Sequence, residues 1–140
     1  MIKLDKDTLL CIRALENISK VRAKDCIVTE NEIIYIVAED KVGQAVGKGG
    51  IHTKKIQTIH KKNVKIIGFS EEPVEFAKKI IGDRIEIKAI TLETEATEKH
   101  IIVEADYKSH EAIRGKHSKK LKILKDLLKR HHNVADVILK

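Results

Sequence analysis

Apolar residues recur along the chain in two rhythms. Leu9, Ile12, Leu15 and Ile18 fall at helical spacing between Asp5 and Ser19, with Asp5 and Asp7 at the end where the helix dipole favours acids. Cys26 to Thr29 predicts a short strand. Glu30-Asn31 fits a hairpin turn, because Asn tolerates a left-handed backbone. Ile33 to Val37 forms a β-rich run inside Glu32 to Ala38, long enough for a strand and short for a helix. Two short helices, Val42 to Val46 and Ile51 to Ile59, flank a glycine-rich break, and Val64 to Phe69 is again a strand.

The rhythm then repeats. Ser70 is a plausible cap for a helix with Pro73 in its first turn, Val74, Ala77 and Ile81 on one face, and Gly82 as its stop. Arg84 to Thr94 predicts a strand whose apolar phase slips between Ala89 and Ile90, the mark of a β-bulge. Lys99 to Ala105 pairs with it across a turn near Ala96-Thr97. Tyr107 to Ile113 is a short helix capped by Asp106, Lys119 to Arg130 a longer one carrying Leu121, Leu124, Leu127 and Leu128, and Val134 to Leu139 a closing strand. The order is α-β-β-α-α-β, twice. Ala45-Val46-Gly47-Lys48 lines up with Ile113-Arg114-Gly115-Lys116, and Asn63-Val64 with Asn133-Val134. The expected class is α+β, with units at 1–69 and 70–140.

Charge sharpens this picture. The chain of 140 residues has 28 Lys and Arg against 21 Asp and Glu, a net +7 that favours a polyanionic partner. Cys11 and Cys26 form neither a disulfide framework nor a C-x-x-C pair and read as buried small apolar residues. The N-terminus lacks a basic-then-apolar leader pattern, and no apolar run approaches the ~18 residues of a membrane span. A reduced, cytoplasmic protein with no membrane association is expected. Two Tyr, two Phe and no Trp argue against modules that stack bases on aromatic platforms.

The candidate chemistry lies in Gly47-Lys48-Gly49-Gly50. Small residues let a phosphate backbone come close, Lys48 supplies charge, and the following helix presents N–H groups. From Lys41 to Lys62 there are six lysines and no acid. The plain alternative is a glycine turn between two helices. Gly115-Lys116-His117-Ser118 occupies the matching place with its last glycine replaced by Ser118, a residue suited to cap the helix at Lys119. From Arg114 to His132 there are eight cations and one acid, Asp126, which reads either as phosphate contacts or as a solvated basic face. Lys54, Lys55, Lys61 and Lys62 are phosphate contacts if they face the loop, and solubilising charges otherwise. Ala45, Val46, Ile51, Ile56 and Ile33 to Val37 read either as an apolar groove for bases or as ordinary core. The seven histidines lack carboxylate or thiolate partners at ligand spacing, and His131 and His132, as helix neighbours, point apart. No metal site, cofactor or catalytic constellation is expected.

Gln44-Ala45-Val46-Gly47-Lys48-Gly49-Gly50, set within α-β-β-α-α-β, resembles the loop of a type II KH domain, and two such units in tandem resemble the archaeal NusA-like transcription factors. The resemblance covers essentially the whole chain. It implies two tandem type II KH domains, each with a three-stranded mixed sheet packed on helices, single-stranded RNA as partner, and a role in transcription termination or antitermination. It carries the RNA-binding role to Gly47, Lys48, Gly49 and Gly50, and to Gly115 and Lys116 across the departure at Ser118. Lys54, Lys55, Arg114, Lys119 and Lys120 complete the candidate contacts. A monomer is expected, with RNA polymerase as a second partner. Two other readings stay open: a KH-type RNA-binding factor in ribosome assembly or RNA turnover, and a protein-interaction module of the transcription apparatus.

Overall fold

The structure, a computed structural model, describes residues 5–140. The chain divides between Phe69 and Ser70 into two compact units.

In the first unit, α1 (Lys6–Ser19) starts at Asp5, whose side chain accepts the Thr8 N–H. Its buried residues Thr8, Cys11, Leu15 and Ser19 lie three or four apart. Strands β1 (Asp25–Val28) and β2 (Glu32–Val37) pair antiparallel. The turn between them forms at the expected place for a different reason. Asn31 does not have positive φ. Instead Thr29 N–H donates to the Glu32 carbonyl, and Thr29 Oγ1 accepts the Glu32 N–H. Then come α2 (Val42–Val46), α3 (Ile51–His60) and β3 (Asn63–Gly68), which pairs parallel to β2. Cys11, Leu15, Cys26, Ile33, Tyr35, Val37, Ala45 and Ile56 form one core, crossed by a 2.6 Å hydrogen bond from Tyr35 Oη to the Cys11 carbonyl.

In the second unit, α4 (Pro73–Ile81) begins at Glu72 rather than at Ser70, and its buried face is Phe76, Ala77 and Ile80. Gly82 ends it, as expected. Strand β4 (Ala89–Glu95) pairs antiparallel with β5 (Glu98–Glu104) around a two-residue turn, then α5 (Tyr107–Arg114), α6 (Lys119–His132) and β6 (Val134–Leu139) follow, β6 parallel to β5. The bulge expected at Ala89-Ile90 is not there. The ladder runs unbroken from Ala89–Glu104 to Glu95–Glu98. Ile85 and Ile87, which set up the apparent phase slip, belong to the irregular segment before the strand. An irregularity falls instead in the β5–β6 pair, where Lys99 opposes Val134 and His100 opposes Asp136. Asp106 caps α5 as expected, its side chain accepting the Ser109 N–H. Both units are therefore α-β-β-α-α-β, each with a three-stranded mixed sheet packed on helices.

The alignment of Asn63 with Asn133 does not survive in the backbone. Asn133 is the left-handed cap of α6, whereas Asn63 opens β3 and the left-handed cap of α3 is Lys61. Helix α6 runs four residues longer than α3, which shifts the register of the two junctions.

Candidate nucleic-acid interface

The first loop is built from three glycines in left-handed space. Gly47 (φ 80°, ψ 164°), Gly49 (φ 65°, ψ 19°) and Gly50 (φ 74°, ψ 21°) turn the chain from α2 into α3. The Gly47 N–H donates back to Gly43 and the Gly50 N–H to Gly47, so the turn is closed on itself. Two side chains fasten it. His52 Nδ1 donates to the Gln44 carbonyl at 2.9 Å, joining α3 to α2, and Thr53 Oγ1 donates to the Gly50 carbonyl at 2.9 Å. Gln44 Nε2 in turn donates to the Ser19 carbonyl, anchoring α2 to the end of α1. The histidine pattern along the chain gives no hint of this role for His52, because its clamp depends on a contact eight residues away that spacing does not reveal.

At Gly47 a Cβ atom would lie 2.7 Å from His52 Nδ1 and 2.9 Å from Ile51 Cγ2, whereas at Gly49 nothing lies within 4 Å. The first glycine is thus required for packing as well as for φ, and the third loop position opens to solvent. Lys48 and Gly49 are exposed, and Gly47 and Gly50 are half-buried.

The second loop repeats this path with fewer glycines. Gly115 (φ 71°, ψ 178°) matches Gly47, His117 (φ 56°, ψ 29°) matches Gly49, and Ser118 (φ 59°, ψ 20°) matches Gly50. The Ser118 N–H donates to the Gly115 carbonyl as the Gly50 N–H does to Gly47. Ser118 occupies the cap position of α6, but its hydroxyl makes no capping bond. An N-cap Ser normally has extended backbone, and the left-handed backbone here takes its side chain elsewhere. Lys120 stands where His52 stands, and its Cβ and Cγ close over Gly115.

The remaining candidates sort by position. Lys54 reaches the first loop: its Cε lies 4.0 Å from where a Gly50 Cβ would stand. Lys55 is exposed one step further round α3. Arg114, Lys116, Lys119 and Lys120 are all exposed around the second loop. Of the other cations on α6, Lys125 pairs with Asp136 and Arg130 with Asp126, each at 3.0 Å. Ala45, Ile56 and Ile33 to Val37 are buried, so they are core rather than groove; of that set Ile51 alone is 48% exposed, and Ile59 nearby is 62% exposed. His131 and His132 do not diverge as expected: both rings meet Phe76 edge-on, at 5.8 and 5.4 Å. Cys11 and Cys26 are buried, and burial pushes both thiols above their ordinary range. Among the described residues there is no cluster of three His, Cys, Asp or Glu able to hold a metal, and no helix long and apolar enough to cross a membrane.

Comparison with known proteins gives these features a setting. No family model matches the chain. The crystal structure of APE1850 superposes with a TM-score of 0.75 at 24% identity, over 98% of this chain and all of that one, which shows a shared fold. Three curated relatives carry the name probable transcription termination protein NusA. That of Methanocaldococcus jannaschii is 26% identical over 97% of this chain and 74% of its own length. That of Thermoplasma acidophilum is 22% identical over 99% and 96%, and that of Methanococcus vannielii 24% over 97% and 78%. Each of the three matches this chain over nearly its whole length, so the chain is similar to these archaeal NusA proteins.

Proposed function

We propose that the chain is a non-catalytic, single-stranded RNA-binding protein made of two tandem type II KH domains, 1–69 and 70–140, acting in transcription termination or antitermination. Each loop grips phosphates. Lys48 and the amides of Lys48 and Gly49 serve the first, because the Gly47 and Gly50 amides already bond within the turn. Lys54 extends the contact along α3, with Lys55 further round. In the second unit Arg114, Lys116, Lys119 and Lys120 do the same work, and Gly115, whose amide bonds to the Glu111 carbonyl, turns the loop as Gly47 does. At about four nucleotides per loop, two loops span about eight.

The observation that carries this reading is the backbone at His117 and Ser118. Left-handed φ costs an L-residue about 1–2 kcal/mol. The second loop keeps that path after losing two of its three left-handed glycines. Strain held at two adjacent positions supports the reading that the shape of the peptide itself is used.

The test is a filter-binding titration of a short single-stranded RNA with Lys48→Asp/Gly49→Asp. The open space at Gly49, and His117 in the same conformation at the matching position, mean the variant should fold. Replacing a charge-assisted phosphate contact by a repulsive carboxylate should weaken affinity roughly tenfold or more. Unchanged affinity in a folded variant would remove the loop from the mechanism.

A further inference from the structure

The second unit carries a surface that RNA capture does not use. Helix α1 has fourteen residues and α4 only nine, while β4 has seven residues against four in β1. The β4–β5 hairpin therefore runs beyond its helical cover, and every residue from Thr91 to Lys99 is exposed. Ile90 and Leu92 lie opposite buried Val103 and Ile101, on the helix side of the sheet, yet Leu92 is 38% exposed. At the base of the strand is a groove of about 320 Å³, lined by Lys78, Gly82, Asp83, Ile85, Ile87, Ala89 and Ile90, with one base and one acid in its wall. Among the described residues β4 pairs with β5 alone, at the edge of its sheet.

We propose that the open edge of β4, from Ile90 to Glu95, docks a basic, extended segment of another protein by strand addition. Charge selects the occupant. From Ala89 to Lys99, the hairpin itself, there are three acids and one base, in a chain whose net charge is +7. RNA would be repelled here. A second copy would set Glu93 and Glu95 against the same glutamates. A polypeptide alternating apolar and cationic residues satisfies both the Ile90–Leu92 strip and the flanking carboxylates. Acidic residues also guard open edges against aggregation, and in that case nothing would bind specifically.

The test uses the full chain and a synthetic peptide of alternating lysine and valine, with a lysine–serine peptide of equal charge as control. Amide chemical shifts should move saturably within residues 85–95, and the control should bind roughly tenfold more weakly for want of apolar contact. Leu92→Asn should weaken the lysine–valine peptide by a similar factor and leave RNA affinity unchanged. Absence of saturable binding, equal binding of the control, shifts centred outside residues 85–95, or a dimer held through β4 would each overturn the proposal.

Discussion

Alanine at Gly47 and alanine at Gly49 should have sharply different consequences, although both glycines lie in one four-residue loop. Gly49 sits at φ 65° and ψ 19°, and a methyl group added there would find nothing within 4 Å, so Gly49→Ala meets only the left-handed penalty, about 1–2 kcal/mol. Gly47 sits at φ 80° and ψ 164°, a region reserved almost wholly for glycine, where the backbone term is about 1–3 kcal/mol. Its methyl would also lie 2.7 Å from His52 Nδ1 and 2.8 Å from Cγ. That ring cannot step aside without losing its 2.9 Å bond to the Gln44 carbonyl, a further loss of about 1 kcal/mol. Gly47→Ala should therefore destabilise the first unit by roughly 2–4 kcal/mol. Urea denaturation followed through first-unit amide signals measures both variants. Equal losses, or a larger loss for Gly49→Ala, would refute the packing argument.

The affinity for single-stranded RNA should fall with salt, with a logarithmic slope of roughly −0.7 per phosphate contacted; a flat salt titration would contradict electrostatic capture. Ala96, first of the two residues turning β4 into β5, has φ 56°, so Ala96→Gly should raise stability by about 1 kcal/mol in thermal denaturation. Bonds from the Ser109 amide and hydroxyl hold the Asp106 carboxyl below its ordinary range. A depressed carboxylate contributes stability above its unfolded pKa and loses it as pH falls through the folded one. Acid should therefore loosen α5, and Asp106→Asn, which keeps the cap without the titration, should flatten that part of the stability–pH curve.

The element order was legible because each element carries its own period. Leu9, Ile12, Leu15 and Ile18 marked a helix, although Leu9 is exposed and the buried face runs through Thr8, Cys11, Leu15 and Ser19, and Ile33 to Val37 is too short and too β-branched for a helix. The start of β4 was not legible, since Ile85 and Ile87 alternate as a strand does while lining a groove. Ser118 misled through local propensity: serine before a helix normally caps it, and the turn imposed by Gly115 overrides that preference. Lys48, Gly49 and the cations around both loops lie exposed at the loop positions that spacing assigned them. The clamp from His52 to Gln44 and the meeting of His131 and His132 on Phe76 are contacts across elements, which no period encodes.

The most direct test of phosphate capture by the paired loops is amide chemical-shift mapping during titration with a single-stranded RNA of about eight nucleotides. Saturable shifts at Lys48 to Ile51 and at Lys116 to Lys119, lost from the first set in Lys48→Asp/Gly49→Asp, are the result this account requires. Shifts that leave both loops still while RNA binds elsewhere on the chain would contradict it.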